Sequence, residues 1–365
     1  MDITIPLFKV YMREEVPDQV RGVLMSGYIG QGPRVDQFEE VLEHRFGRPA
    51  LTICSGTAAL DLALHLCGVG PGDQVITTAQ TCTATNGVIV RRGATPVFCD
   101  VNKWNGNLDP IDVSKNINDH VKAIMAVDWG GRSCDYAALK SFGIPVIEDA
   151  AHAVGTTIDG HHVASGVGGD YVCFSFQAIK HLTTVDGGAI CVPDHQLDRA
   201  RLLRWYGLDR RGSKSFRCEQ NIEEVGYKYH MNDVAATIGI ANAVGLDDIL
   251  ERHRSNAKTL CLELGGMNGI IEPKWDPESS WWIYTILVDD VEDFSSKMKD
   301  LGIDTSPVHA RNDKHDAFRN SSIASPNLAG LDHFSKHQVA IPVGWWLSSS
   351  DMDRVIDATI RSARR

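Results

Sequence analysis

Three short segments carry side chains whose types and spacing suit chemistry. The first is Ser55-Gly56-Thr57, set between a short apolar run and the helical run AALDLALHLCGV. A glycine-containing turn that opens a helix presents free backbone N–H groups and the positive end of the helix dipole, which together suit a phosphate. The same three residues also serve as a plain helix cap, and taken alone the cap is the simpler reading. The second segment is Glu148-Asp149-Ala150-Ala151-His152, at the end of the run IPVIEDA (144–150). Ligands of open α/β sheets gather beyond the carboxyl ends of the strands, so an acid there faces a pocket. An aspartate capping the next helix would look the same. The third is Lys180, in Phe174-Ser175-Phe176-Gln177-Ala178-Ile179-Lys180-His181, followed by Asp186-Gly187-Gly188. Most lysines are solvated, but one desolvated behind a buried strand has a lowered pKa and can form a Schiff base with a carbonyl. Each segment by itself is ambiguous.

The elements that must position these residues alternate. Ala50–Cys54, QVITTA, ATPVFCDV (94–101), VKAIMAV (121–127), IPVIEDA, DYVCFSF (170–176) and GGAICV (187–192) are short β-branched runs separated by helical or glycine-rich stretches. Near-continuous apolar strands suit a sheet covered on both faces, hence an α/β domain with a largely parallel sheet. Ahead of them lies a turn-rich arm around Ser26–Pro33, then an amphipathic helix over 34–46, apolar at Val35, Phe38, Val41, Leu42 and Phe46. The stretch 233–264 reads as one long helix. Beyond it the pattern changes to an alternating strand (WWIYTILV, 281–288), a helix (KMKDLGI, 297–303) and another strand (HQVAIPV, 337–343). The division expected is a large domain over 1–250, with its N-terminal arm, and a smaller α+β domain over 251–365. The 365 residues also exceed the roughly 250–300 that one hydrophobic core usually holds.

Composition narrows the function classes. Acidic residues outnumber basic ones by 47 to 36, a net charge of −11, so no general attraction to nucleic acid or anionic membrane is expected. No run approaches the roughly eighteen apolar residues of a membrane span, and the N-terminal MDITIPLFKVYMREEV lacks a signal-peptide pattern. Nine scattered cysteines without a CxxC pair read as reduced thiols, and the expected location is cytoplasmic. His309, His315, His333 and His337 lack a metal-ligand spacing, and no metal is expected.

Taken together, the phosphate cradle, the strand-end acid and the lysine supply the three anchors that pyridoxal 5′-phosphate (PLP) requires. They would hold its phosphate, its ring nitrogen and its aldehyde. The series SGTAAL, GPGDQVI, GATPVFCDV, IPVIEDAAHAVG, FSFQAIKHLTTVDGGAI and MNDVAATIG resembles the DegT/DnrJ/EryC1/StrS family of nucleotide-sugar aminotransferases, in matching order from about residue 26 to 245. The resemblance implies a fold-type I PLP enzyme, built like aspartate aminotransferase. By the same resemblance Gly56, Thr57 and Ser175 would bind the phosphate, and Asp149 would face the pyridine nitrogen. His152 would lie near the ring oxygen, and Lys180 would hold the aldehyde and shuttle the proton.

Two positions depart from the commoner family pattern. Cys82, in Gln80-Thr81-Cys82-Thr83-Ala84-Thr85, stands where an aromatic ring usually stacks on the cofactor. In Gly226-Tyr227-Lys228-Tyr229-His230-Met231, Lys228 stands where many members place the Asn that reaches a neighbouring subunit's phosphate. Lys228 either serves that phosphate with a full charge or is simply solvated. The resemblance places His309 and Arg311 where members contact the nucleotide-sugar. Trp281-Trp282 and Trp345-Trp346 read as packing of the small domain, or as its face toward the pocket.

The function implied is transfer of an amino group, with L-glutamate as donor, to a nucleotide-linked keto sugar in amino-sugar and polysaccharide biosynthesis. A 4-keto-6-deoxyhexose is the first expectation and a 3-keto sugar the alternative, in a homodimer that shares its active sites. A PLP-dependent dehydratase of the same family is a weaker reading, because those members carry His where Lys180 stands. A non-catalytic PLP-binding protein is the reading from another class.

Overall fold

The computed structural model describes residues 4–210 and 217–363. Its strands are β1 (Leu51–Ile53), β2 (Gln74–Thr77), β3 (Thr95–Phe98), β4 (Val121–Val127), β5 (Val146–Asp149), β6 (Thr157–Ile158), β7 (His161–His162), β8 (Tyr171–Ser175), β9 (Gly188–Cys191), β10 (Ile270–Ile271), β11 (Tyr284–Val288), β12 (Ile323–Ala324) and β13 (Gln338–Ile341). Eight of these make one sheet in the order β1-β9-β8-β5-β4-β2-β3-β12. Within it β9 runs antiparallel to both of its neighbours, and the other recorded pairings are parallel. The register sets Val127 beside Asp149 and Asp149 beside Cys173, which aligns the carboxyl ends of the central strands.

Both faces of this sheet are covered, which is why its strands read as unbroken apolar runs. Along β8, Val172 and Phe174 enter one core cluster with Phe38, Leu42 and Phe46, while Tyr171 and Cys173 enter another with Leu60, Leu62 and Leu64. A second sheet, β10-β11-β13, is antiparallel and packs with Leu260, Phe294, Met298 and Val355. The strand β12 comes from the C-terminal stretch yet pairs with β3 of the large sheet.

Several elements differ from the sequence reading. The expected long helix is two, Asp233–Ala243 and Leu246–Leu264. The break falls at Gly245, where an added Cβ would lie 2.1 Å from the Tyr11 hydroxyl, so the N-terminal arm crosses at that point. The helix expected over 297–303 spans Val291–Asp300. Asp290 caps its start, and Gly302 at φ +77° turns the chain out of it. The strand expected from Trp281 begins at Tyr284, because Trp281 adopts φ +51°. The arm contains a helix, Val16–Ser26, and the C-terminal stretch a helix, Ser349–Ala363, that the sequence reading lacked. No helix among the described residues is long and apolar enough to cross a membrane.

Candidate active site

Parallel strands deliver their following loops to one edge of the sheet. At that edge a cavity of about 530 Å³ opens. It is lined by Gly56 and Thr57 after β1, Cys82 and Thr85 after β2, and Asp149 and His152 at the end of β5. Ser175 and Lys180 at the end of β8 complete this side, and His309 comes from the C-terminal stretch.

The cradle is a helix start. Ser55 Oγ accepts the N–H of Ala58 (3.1 Å) and caps the helix Gly56–Leu66. The first-turn N–H groups of Gly56 and Thr57 have no intrahelical partner. A side chain at position 56 would put its Cβ 2.9 Å from the Cβ of Ser175, so only glycine lets the helix start sit against that serine. The cap reading and the phosphate reading are therefore compatible: Ser55 does the capping, and the two residues after it border the cavity.

Asp149 is buried beneath the cavity floor. Thr85 Oγ1 donates to its Oδ2 (2.7 Å) and the N–H of Ala151 to its Oδ1 (3.2 Å). Burial pushes this carboxyl up, while those two donors and the nearby Lys180 hold it down. Beside it, Nδ1 of His152 accepts the N–H of Gly130 (3.3 Å), so any proton of the neutral ring is on Nε2. Burial, then Lys180, His309 and His181, push the His152 pKa well below its usual value.

Lys180 Nζ lies 3.6 Å from the centroid of the Trp282 ring. Trp282 also stacks on His152, with centroids 3.9 Å apart, and on Phe8 of the arm at 5.0 Å. Its Nε1–H donates to the carbonyl of Ile179 (3.0 Å), tying the lysine's own loop to the ring. Burial pushes the Lys180 ammonium down to about 7, with Asp149 and Cys82 opposing the fall. A lysine in this state is part neutral at neutral pH and available as a nucleophile and base.

The remaining expected residues divide. Cys82 precedes the helix Thr83–Arg91 and borders the cavity, so no ring from that segment overlies it. His309 also borders the cavity, its carbonyl held by the side-chain amide of Gln80 (2.8 Å). Its N–H bonds the carbonyl of Pro307 (2.7 Å) across Val308, a β-branched residue at φ +64°. That is a sparsely populated geometry of the kind stored at functional sites. Burial, with Lys180 next, pushes His309 down to about 4. Arg311 does not reach the cavity. Its guanidinium is engaged by Asp313 (2.7 Å) and by Asp332, and it serves there as a clamp within the C-terminal stretch.

Lys228 does not line the cavity of its own chain. It sits on an extended segment bridged to Trp205, between the mutually stacked Tyr227 and Tyr229. Trp282 fulfils one of the two readings of the tryptophan pair, facing the pocket. Trp281 packs instead, against Trp275 and Tyr284. Phe8 and Thr85 are the residues that sequence reasoning missed. Thr85 had a usable signal, a hydroxyl in the first turn of the helix that follows a parallel strand; Phe8 had none.

The donor set fits a phosphorylated aldehyde with a basic ring nitrogen. It offers a helix start and a serine hydroxyl for the phosphate, a buried carboxylate for the nitrogen and a partly neutral amine for the aldehyde. Comparison with known proteins bears on the same point. A profile of the DegT/DnrJ/EryC1/StrS aminotransferase family matches residues 10–360. The crystal structure of the sugar aminotransferase CalS13 from Micromonospora echinospora superposes with a TM-score of 0.92 at 34% identity, covering 98% of this chain and 100% of that one. The spore coat polysaccharide biosynthesis protein SpsC of Bacillus subtilis is 33% identical over 369 residues, covering 95% of this chain and 93% of its own. A UDP-4-amino-4-deoxy-L-arabinose–oxoglutarate aminotransferase of Shewanella sediminis is 30% identical over 379 residues, covering 97% of each.

Proposed function

The chain belongs to the DegT/DnrJ/EryC1/StrS aminotransferase family, the PLP-dependent sugar aminotransferases, and from that premise we propose its substrates and the roles of its residues. The amino donor is L-glutamate. The acceptor is a nucleotide-linked keto sugar, a 4-keto-6-deoxyhexose before a 3-keto sugar. The observation that carries this reading is the meeting of Lys180, Asp149 and the Gly56–Thr57 helix start in one cavity. The name of the Shewanella relative joins a UDP-linked 4-amino sugar to oxoglutarate, and so supports both the nucleotide-linked substrate and the glutamate donor.

PLP, when bound, supplies an aldehyde that links reversibly to amines and a protonated ring that takes up electrons from the adjacent carbon. The chain's residues do the rest. The helix start at Gly56 and Thr57, with the Ser175 hydroxyl, binds the phosphate. Asp149, which accepts from Thr85 Oγ1 and the Ala151 N–H, would face the ring nitrogen and hold its proton. His152 offers its Nε2–H toward the ring oxygen. Lys180 Nζ would hold the aldehyde and, as a partly neutral amine beside it, would take up and return a proton. The same lysine would move the proton in the opposite sense when the sugar ketone is the partner. His309 faces the sugar side. The protein works as a cytoplasmic homodimer in which Lys228 of each protomer serves the phosphate held by the other. Residues 1–250 hold the cofactor, and residues 251–365 close over the substrate.

The test begins with the PLP-loaded protein and glutamate alone. Release of 2-oxoglutarate, with a change in the bound cofactor's absorbance, is expected in the parent and absent in Lys180→Ala. Screening 4-keto-6-deoxy against 3-keto sugar nucleotides, with the aminated product identified by mass, then assigns the acceptor. Undiminished turnover in Lys180→Ala would sink the assignment of the lysine.

A further inference from the structure

Behind Asp149 lie two carboxyl groups that the reaction does not use. Glu148 precedes it on β5 and so points to the opposite face of the strand. Asp128 follows the end of β4, and its N–H donates to the carbonyl of Asp149 (3.2 Å). Asp128 and Glu148 are fully buried and in contact with each other. Asp128 Oδ1 accepts the N–H of Cys134 (3.0 Å) and the Tyr136 hydroxyl (2.7 Å). Glu148 Oε2 accepts the N–H of Gly169 (2.7 Å). The other oxygen of each, Asp128 Oδ2 and Glu148 Oε1, is buried and has no donor among the described residues. An ionised carboxylate only accepts, so two of them in contact would leave both of those oxygens unsatisfied and set two like charges against each other.

We propose that Asp128 and Glu148 share one proton, carried by Glu148 and donated to Asp128 Oδ2, and that this proton fixes the turn that orients His152. Asp128 is the acceptor because it already receives two donors and Glu148 receives one. The groups facing the pair agree. Tyr136 and Cys134 donate to Asp128, Asp149 adds a negative charge from β5, and Cys173 and Cys191 approach as thiols from β8 and β9. Among the described residues, Arg48 is a cation that acts on Glu148. Burial raises both carboxyls above the usual carboxylate range, and the charge of Asp128 raises Glu148 further.

The fold is moulded on this acid. A Cβ at Gly168 would lie 2.1 Å from Glu148 Oε2, and one at Gly169 would lie 2.8 Å from its Cβ. On the far side, the Asp128 carbonyl accepts the N–H of Gly131 (3.0 Å), closing the turn whose Gly130 N–H reaches His152 Nδ1. Glu148 and Asp128 are thus positioning residues for His152 and Asp149, and one shared proton keeps the net charge beside Asp149 at one rather than two.

The proton belongs to the apoprotein, so its test is independent of the sugar reaction. Infrared spectra of the apoprotein at pH 7.5 should show the carbonyl stretch of a protonated carboxylic acid, shifted in D2O. That band should vanish in Glu148→Gln and persist in Asp149→Asn. Its absence from the parent, or its survival in Glu148→Gln, overturns the assignment. The positioning role is read separately from PLP affinity. Glu148→Gln keeps a donor without charge and should bind within about twofold of the parent, whereas Glu148→Leu, which leaves Asp128 unpaired, should bind at least about tenfold more weakly. Equal losses in the two variants overturn that role, and if the leucine variant does not fold, a tenfold loss in Glu148→Gln alone does so.

Discussion

Lys180→Met in the apoprotein is expected to stabilise the fold, by an amount that depends on pH in a defined direction. The folded protein holds the lysine proton less tightly than the unfolded chain, at about 7 against 10.5. Below pH 7 both states keep the proton and the folded state bears the full cost of a buried ammonium. Between about 7 and 10.5 the folded protein sheds that proton while the unfolded chain retains it, so stability rises with pH. Above 10.5 the cost is gone. At about 1.36 kcal/mol per tenfold change in proton affinity the ceiling is about 5 kcal/mol. The amine opens onto a cavity that admits solvent, so about 2–3 kcal/mol is the working figure. Methionine fills a similar volume over the Trp282 ring and carries no charge. Urea unfolding of both apoproteins at several pH values measures the difference, and groups common to both cancel. The variant should be the more stable by that amount at pH 6, with the gap closing toward pH 10. A gap that stayed constant, or widened as pH rose, would refute the reasoning. The destabilising burial is the same property that leaves Lys180 partly neutral for chemistry.

Three further outcomes follow from the geometry. Gly56→Ala should lower PLP affinity by about tenfold while changing the melting temperature little, because the gain in helix propensity of about 1 kcal/mol offsets the clash with Ser175; equilibrium dialysis and calorimetry check the two halves. Asp149→Asn should cut turnover by about two to four orders of magnitude. The same variant should leave the apoprotein as stable or more so at neutral pH, since burial raises the carboxyl's pKa and so makes its ionised form costly in the folded state. Lys228→Gln and Lys180→Ala proteins, each impaired alone, should regain activity when their subunits are exchanged, because about one site in four then carries both lysines. No recovery on mixing would place Lys228 outside its partner's site.

Much of the fold was legible because buried parallel strands leave a continuous apolar trace. The runs around Val121–Val127, Val146–Asp149 and Tyr171–Ser175 were identifiable without the structure for that reason. The residues proposed to face the cofactor meet in one cavity, since Gly56, Asp149 and Ser175 lie at or just beyond strand ends, where sequence order and spatial order coincide. Legibility failed where the partner is remote. Arg311 reads as a free cation facing a substrate. One of its two partners, Asp332, lies twenty-one residues along the chain, and nothing local announces the pair. The break at Gly245 depends on Tyr11 of the arm, and the conformation of Val308 is visible only as a dihedral angle.

Lys180 shows most clearly what a motif conveys and what it omits. Its position five residues after Ser175 marks it as the amine proposed to react, but the proton affinity that suits it to that role is set largely by groups outside its own motif. Trp282 presents its ring to Nζ from a stretch that reads either as packing or as the small domain's face toward the pocket, and braces the loop through the Ile179 carbonyl. Phe8 backs that ring from the far end of the chain, and His152 stacks on it. The ring covers one side of the amine, and desolvation is the largest cause of its lowered pKa. The identity of the nucleophile is therefore a local property of the sequence, whereas its reactivity is a tertiary one, assembled from three segments separated by well over a hundred residues.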